Sequence, residues 1–298
     1  MTSLQFQAVL QLLKANPNPV EMTVVEQREA REALAAQTPL PPNVYAERVT
    51  AVSVPALLLA PENTKDERVV LYLHGGGYAL NSSNTHKDLA WRLGAACQAR
   101  VLVPDYRLAP EHSFPAAVED AVTTYRWLLA QGILPENIVL VGDSAGGGLV
   151  MAAAVSLRDA GDPLPAALVC ISPWSDLTLS GQSIDTHEEQ DPVLSRERLQ
   201  WFVDLYLPNG QDTRHPLASP LFADLSGLPP TLIQVGTAEV LLDDARMLAE
   251  AAQKAGVDTT LKLWDEMFHV WHSMAAVVPE SQQAIDEIGA FVKGRFEN

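Results

Sequence analysis

A serine between two glycines lies near the middle of the chain. The segment Gly142–Gly146 (GDSAG) fits the pattern G-x-S-x-G, follows the apolar run Ile138–Val141 and precedes a small-residue segment typical of a helix. On a sharp turn between a strand and a helix, a serine presents its hydroxyl at the edge of a sheet, and the first N–H groups of the helix favour negative charge there. The pattern alone is a weak signal. In this setting it predicts Ser144 as a nucleophile for acyl transfer rather than an ordinary glycine-rich turn.

A second glycine-rich run, His74–Gly77 (HGGG), follows the apolar segment Val69–Leu73. Acyl transfer concentrates negative charge on one oxygen atom, and backbone N–H groups held in place stabilise it. Adjacent glycines let the main chain approach that atom closely. No GK[ST] follows the run, so it is not a P-loop. We therefore predict an oxyanion hole made by the N–H groups of Gly75, Gly76, Gly77 and Ala145.

Two histidines near the end of the chain, His269 and His272, compete for the role of general base. In the α/β-hydrolase plan the order along the chain is serine, acid, histidine, so the base follows the serine. His269 comes soon after the last predicted strand, Thr260–Trp264, and is the predicted base, with His272 as the alternative. His74 precedes the serine, and we expect its ring to hold the glycine loop.

The acid is expected in the loop after the predicted strand Thr231–Val235. Glu239 lies nearest to the end of that strand and is the predicted acid. Its role is to accept the Nδ1–H of the histidine, which fixes the tautomer and stabilises the imidazolium. Asp243 and Asp244 are the alternatives, although carboxylates at the start of a helix also serve as capping residues.

These residues lie at the ends of short apolar strands that alternate with helices. The predicted strands are Val49–Val54, Pro55–Leu59, Val69–Leu73, Val101–Val103, Ile138–Val141, Ala167–Ile171, Thr231–Val235 and Thr260–Trp264. The predicted helices between and after them are Leu89–Cys97, Pro115–Ala130, Ala145–Ala160, Leu242–Ala255 and Gln282–Phe296. This alternation predicts an α/β fold with a mostly parallel central sheet and helices on both faces.

Two parts of the chain depart from the alternation. Leu4–Lys14 and Glu21–Gln37 have the composition of helices, and the segment from about Ser180 to Pro216 contains a helix-like stretch, Arg196–Leu207, but no clear strand. We predict that residues 1–45 form N-terminal cap helices. Residues 46–298 then form the catalytic domain, with a cap insertion at about 180–216.

Charge and composition exclude several other functions. The 298 residues include 37 acidic and 20 basic side chains, and the net charge of −17 repels nucleic acids and anionic membranes, so we expect neither as a partner. Cys97 and Cys170 lie in no metal-binding pattern, and we expect no metal site. The N-terminus lacks the features of a signal peptide and no apolar run reaches membrane-spanning length, so a cytoplasmic location is expected.

The motifs together resemble the bacterial hormone-sensitive-lipase family (family IV) of α/β-hydrolases from about residue 45 onward. The shared segments are His74–Gly77, Asp105–His112, Phe114–Ala117, Gly142–Gly147, Ser172–Leu177 and Phe268-His269. The resemblance implies an α/β-hydrolase domain with a helical cap that hydrolyses short- to medium-chain carboxylic esters without a cofactor. Ser144 matches the family nucleophile and His269 the family base. Many members carry aspartate in a DPL setting where this chain has Glu239-Val240-Leu241, which keeps Asp243 open as the acid.

Other functions and properties remain open. The same triad would serve an amide hydrolase such as a formamidase or peptidase, and a protein that kept the fold but lost turnover would only bind a small molecule. An exposed edge strand at Thr260–Trp264 would allow a homodimer. Four aromatic residues, Trp174, Trp201, Phe202 and Tyr206, are candidates either for an acyl pocket or for the core.

Overall fold

The strands of the protein form one sheet. The computed structural model describes residues 2–16 and 22–297, and within them the sheet has eight strands in the order β1-β2-β4-β3-β5-β6-β7-β8. The strands are β1 (Val44–Ala51), β2 (Val54–Pro61), β3 (Lys65–Leu73), β4 (Ala99–Pro104), β5 (Ile138–Asp143), β6 (Ala167–Ile171), β7 (Thr231–Gly236) and β8 (Thr259–Trp264). β2 pairs antiparallel with β1 and β4, and all the other pairs are parallel. The predicted mostly parallel sheet is confirmed.

Helices cover both faces of this sheet. The helices of the described residues are α1 (Leu4–Ala15), α2 (Val24–Ala36), α3 (Lys87–Cys97), α4 (Ala116–Ala130), α5 (Ala145–Ala160), α6 (Ser183–Thr186), α7 (Arg196–Tyr206), α8 (Leu242–Lys254) and α9 (Pro279–Phe296). α3 and α9 pack together on one face, and α4, α5 and α8 contribute to the apolar core on the other. The predicted start of the second helix at Glu21 lies outside the described residues. No helix in the described part of the chain is both long and apolar enough to cross a membrane.

The hairpin of β1 and β2 differs most from the predicted strand boundaries. β1 begins at Val44 rather than Val49, and the turn lies at Val52-Ser53 rather than between Val54 and Pro55. β1 is an edge strand with mainly exposed residues, so it lacks the apolar pattern of a buried strand. Val52 also occupies the left-handed region at φ 61°, where glycine or asparagine would have signalled the turn.

The sheet brings the predicted site residues to one edge. β5, β6 and β7 are buried along their whole length, which explains their continuous apolar sequences. The chain leaves β5 at Ser144, and Glu239 and His269 lie on the loops that follow β7 and β8. Because parallel strands end at the same edge of a sheet, the three side chains can meet there.

Candidate active site

Ser144 lies on a strained turn between β5 and α5. Its backbone has φ 55° and ψ −123°, a conformation that costs a serine about 1–3 kcal/mol. A Cβ atom on Gly142 would collide with the carbonyl oxygen of Gly146, and one on Gly146 would collide with that of Leu73. The two glycines of the G-x-S-x-G pattern therefore allow the strand and the helix to approach each other.

The structure brings Ser144, His269 and Glu239 into one hydrogen-bonded chain. His269 Nε2 lies 2.9 Å from Ser144 Oγ, and His269 Nδ1 lies 3.0 Å from Glu239 Oε2. Burial lowers the pKa of His269, but the hydrogen bond and the charge of Glu239 outweigh it, so the pKa is raised above its ordinary value of 6.5. The imidazole can therefore take a proton from the serine hydroxyl and hold it while facing the carboxylate.

Ser172, which directly follows β6, holds the acid and the histidine loop together. Its hydroxyl donates to Glu239 Oε1 at 2.7 Å and accepts from the N–H of Val270 at 3.2 Å. The N–H of Gly236 also donates to Glu239 Oε1 at 2.7 Å. In the sequence Ser172 stands out only as part of the family pattern. The feature that could have identified Ser172 as part of the site is its position at the end of a buried strand, beside the strand β7 that leads to Glu239.

The alternative acids and the alternative base lie elsewhere in hydrogen-bond networks of their own. Asp243 accepts the N–H of Ser183 at 2.9 Å. Asp244 is fully buried, accepts the N–H groups of residues 175 and 176, and has a pKa raised by burial to about 8. His272 faces Gln234 Oε1 at 2.8 Å, and burial lowers its pKa to about 3. None of the three contacts Ser144.

The glycine loop after β3 faces the nucleophile. Gly76 has φ 118°, a conformation that L side chains rarely adopt, and a Cβ on Gly77 would collide with the ring of Phe202. The N–H of Gly75 donates to Asp143 Oδ1 at 2.9 Å and is therefore occupied. Among the described residues the N–H groups of Gly76, Gly77 and Ala145 donate to no other group. The set of candidate oxyanion donors thus narrows from four N–H groups to three.

Asp143, next to the nucleophile, braces this loop. Besides the bond from Gly75, its carboxylate accepts the hydroxyl of Tyr72 at 2.5 Å and lies 3.5 Å from His86 Nε2. Although burial raises the pKa of Asp143, the charge and hydrogen bond of His86 and the hydrogen bond of Tyr72 lower it to about 2. The ring of His74 stacks on a tyrosine with Nδ1 2.8 Å from the Gly75 carbonyl, and burial lowers its pKa to about 4. The ring of His74 therefore contacts the glycine loop.

Asp191 joins the insertion to the acid loop. Its carboxylate accepts the N–H groups of Val193 at 2.9 Å and Val240, the neighbour of Glu239, at 3.1 Å. Burial raises the pKa of Asp191 to about 6, and its charge contributes to the raised pKa of His269. No motif in the sequence marks this residue.

A cavity of about 640 Å³ opens above Ser144 and His269. Apolar side chains from α1, α2, the insertion and the loop after β8 line it, among them Leu13, Leu34, Val193, Phe268 and Met274. Of the aromatic candidates for an acyl pocket only Phe202 lines the cavity, whereas Trp174 and Tyr206 are buried in the core. Over the described range, no cluster of three or more His, Cys, Asp or Glu side chains could hold a metal ion.

Comparisons with known proteins agree with this geometry. The sequence profile of a family described as having an alpha/beta hydrolase fold matches residues 70–273. An acetyl-hydrolase of Streptomyces hygroscopicus is 55% identical over 229 residues (77% of this chain and 76% of that protein), and an esterase of Acinetobacter venetianus is 39% identical over 224 residues (75% and 74%). The crystal structure of an esterase from the bacterial hormone-sensitive lipase family is 46% identical, with a TM-score of 0.95 and 99% coverage of both chains. The chain therefore has the α/β-hydrolase fold and belongs to the bacterial hormone-sensitive-lipase family.

Proposed function

We propose that the chain is a serine carboxylesterase that hydrolyses short- to medium-chain carboxylic esters. Ser144 is the nucleophile, His269 the general base and Glu239 the acid. The observation that carries the proposal is the unbroken series of contacts from Ser144 Oγ to His269 Nε2 at 2.9 Å and from His269 Nδ1 to Glu239 Oε2 at 3.0 Å. The series ends at a cavity whose volume is typical of sites for small molecules.

The proposed cycle has two similar halves. His269 removes the proton of Ser144 as the oxygen attacks the ester carbonyl, and the resulting oxyanion accepts hydrogen bonds from the N–H groups of Gly76, Gly77 and Ala145. The imidazolium then protonates the departing alcohol, which leaves an acyl-enzyme. Water attacks the acyl-enzyme in the same way and releases the carboxylic acid. Each proton in this cycle is carried by His269, whose charged form Glu239 stabilises.

The cavity supports the substrate class. Its apolar side chains favour an aliphatic acyl group, because burial of each methylene contributes about 0.8 kcal/mol to binding. We propose that α1, α2 and the segment 180–216 form the cap that supplies this lining. Leu13 of α1, Leu34 of α2 and Val193 of the insertion contribute to the cavity wall.

The test is the hydrolysis of p-nitrophenyl butyrate by Ser144→Ala and by Ser156→Ala, a matched control. Ser156 is a half-buried serine of α5, the helix that follows Ser144, and it lies outside the cavity. We expect Ser144→Ala to lose on the order of 10⁴- to 10⁶-fold in kcat, with an unchanged circular dichroism spectrum, and Ser156→Ala to keep its activity. Turnover by Ser144→Ala within about tenfold of the native value would refute the assignment.

A matched amide distinguishes ester from amide hydrolysis. The butyryl amide of p-nitroaniline presents the same acyl group with a different leaving group, so the ratio of the two kcat/KM values isolates the leaving group. We expect the ester to be hydrolysed far faster. Comparable rates would replace the esterase proposal with amide hydrolysis. If neither compound is turned over by the folded protein, the proposal of a catalyst fails.

A further inference from the structure

In the described part of the chain, the cavity above Ser144 is lined by positive side chains without carboxylate partners. They are Arg31 of α2, Lys87 of α3 and Arg198 of α7. Across residues 2–16 and 22–297, none of the three forms an ion pair with an acidic side chain. In contrast, Arg196, two residues from Arg198 on the same helix, is paired with Asp185 at 2.5 Å. In a chain with 37 acidic and 20 basic residues, unpaired cations around one cavity are unexpected.

The two arginines use few of their donors. Arg31 Nη1 donates to Asn81 Oδ1 at a long 3.3 Å, and Arg198 Nη2 donates to Gln27 Oε1. A guanidinium carries five N–H donors, and most of those on both side chains have no partner among the described residues and are available to a ligand. Lys87 is better satisfied, because Nζ donates to the Ala35 carbonyl at 2.9 Å and to an asparagine amide oxygen at 3.2 Å.

Each guanidinium group contacts a side chain that in turn contacts the glycine loop. The guanidinium of Arg198 lies over the ring of Phe202 at 4.8 Å, and that ring packs directly on Gly77. On the other side, Asn81 accepts from Arg31 and donates to the carbonyl of residue 75 at 3.2 Å. A group bound by the two arginines would therefore lie close enough to the glycine loop to be part of the same molecule as an ester bound at Ser144.

The electrostatics of the cavity wall favour an anion. Burial lowers the pKa of Arg31, and burial together with the positive charge of Arg31 lowers the pKa of Arg198 to about 10. The two like charges thus lie close enough to repel each other. The acidic residues on the wall do not neutralise them, because Asp88 is paired with Arg92 at 2.9 Å and Asp143 is bound within the glycine-loop network. Two desolvated cations with free donors are stabilised when an anion binds between them.

We propose that Arg31 and Arg198 form a subsite for a carboxylate carried by the substrate, remote from the scissile ester bond. The planar guanidinium matches a carboxylate with two parallel hydrogen bonds, and a second guanidinium fixes its position. The inference rests on the proposed esterase function and specifies its substrate class: esters that bear a free carboxylate on either the acyl or the alcohol side.

Two pairs of substrates test the subsite, one for each side of the ester. The acyl pair is the mono-p-nitrophenyl ester of adipic acid and its methyl ester. The alcohol pair is 4-carboxyphenyl butyrate and its methyl ester. Within each pair the molecules differ only by a methyl group and the charge. The measured quantity is the ratio of kcat/KM for the charged ester to that for the neutral ester, determined in the native protein and in each variant, so that leaving-group effects cancel between proteins.

For one of the pairs we expect Arg31→Gln and Arg198→Gln each to lower the ratio about tenfold, and added salt to lower it in the native protein. Arg196→Gln is the matched control on α7 and should keep the native ratio. Arg198→Gln also loses ring contacts with Trp201 and Phe202. If it fails to fold, Arg31→Gln still decides the question, because the long bond to Asn81 is the one hydrogen bond that Arg31 forms among the described residues.

The possible outcomes distinguish failure of the subsite proposal from failure of the esterase proposal. Hydrolysis of the neutral esters with unchanged ratios in Arg31→Gln for both pairs would overturn the subsite and leave the esterase proposal intact. A ratio that falls equally in Arg196→Gln would also overturn it, since the effect would then reflect overall charge. Absence of turnover for all four esters in the native protein would instead overturn the proposed function.

Discussion

Replacement of Glu239 by glutamine keeps the size of the side chain and removes its charge. In the native site Oε1 accepts from Ser172 Oγ and from the N–H of Gly236, both at 2.7 Å, while Oε2 faces His269 Nδ1 at 3.0 Å. Only the carbonyl oxygen of a glutamine can accept, so the two donors hold it at the Oε1 position and turn the NH₂ group toward His269. The NH₂ group donates to Nδ1, and the imidazole must then carry its proton on Nε2.

An imidazole protonated on Nε2 cannot take the proton of Ser144. In serine-triad enzymes the same error of tautomer lowers kcat on the order of 10⁴-fold, which corresponds to about 5.4 kcal/mol of activation free energy. The hydrogen bond and the charge of Glu239, which raise the pKa of His269, are lost as well. We therefore expect Glu239→Gln to lower kcat by about four orders of magnitude with little change in thermal stability.

The assay is the hydrolysis of p-nitrophenyl butyrate, with Asp243→Asn as the matched control. Asp243 lies four residues after Glu239 in the chain, and its carboxylate accepts the N–H of Ser183 rather than facing a histidine. The control should keep kcat/KM within about threefold of the native value. Retention of more than about a tenth of the activity by Glu239→Gln would refute the reasoning. A large loss of activity in Asp243→Asn alone would make Asp243 the acid.

Three further predictions concern the pH dependence, Ser172 and the exposed edge of the sheet. Since His269 must be neutral to accept a proton and its pKa is raised above 6.5, kcat/KM should fall as the pH decreases through a midpoint above 6.5; a midpoint at or below that value would contradict the contribution of Glu239. Ser172→Ala removes the hydroxyl between Glu239 and the histidine loop and should lower kcat about tenfold with KM unchanged. An unchanged kcat would mean that Ser172 does not position Glu239 or His269. Leu263, 46% exposed on the edge strand β8, suits a dimer across that edge: light scattering should give a dimer mass that Leu263→Lys reduces to a monomer, and a native monomer would end the dimer hypothesis.

The local sequence was sufficient to predict a site residue where a single segment determines both the position of the side chain and its chemical role. The nucleophile turn combines a buried strand, two glycines in van der Waals contact with neighbouring backbone and a helix start, all within a few residues of Ser144. The strands β5, β6 and β7 were predicted to within two residues at either end because they are buried along their whole length. The edge strand β1 was not, since its exposed residues carry no apolar period.

The rest of the site depends on contacts between distant parts of the chain. The N–H of Gly75 is occupied by Asp143, 68 residues later, which no local pattern reveals. Glu239 precedes the start of α8 and Asp243 lies in its first turn, and only the folded chain shows that Glu239 faces His269 whereas Asp243 faces Ser183. Arg31 and Arg198 line the same cavity although they lie 167 residues apart in the chain, and Arg198 of α7 donates a hydrogen bond to Gln27 of α2.

The overall charge gives a misleading picture of the cavity. A net charge of −17 disfavours the approach of anions to the protein as a whole. Within the cavity, however, Arg31 and Arg198 face the space above Ser144 without acidic partners among the described residues. At an ionic strength near the physiological value, charges beyond about 8 Å are largely screened, so the local pair has more influence on a bound ligand than the distant surface.

Covalent labelling of the native protein by a fluorophosphonate tests the central claim most directly. Such a reagent phosphonylates a serine only when a nearby base removes its proton. Intact-mass and peptide analysis should show one adduct per chain, on the peptide that contains Ser144, with loss of ester hydrolysis in proportion to labelling and no adduct in Ser144→Ala. An active protein that resists labelling, or an adduct on a different residue that accounts for the inactivation, would contradict the account.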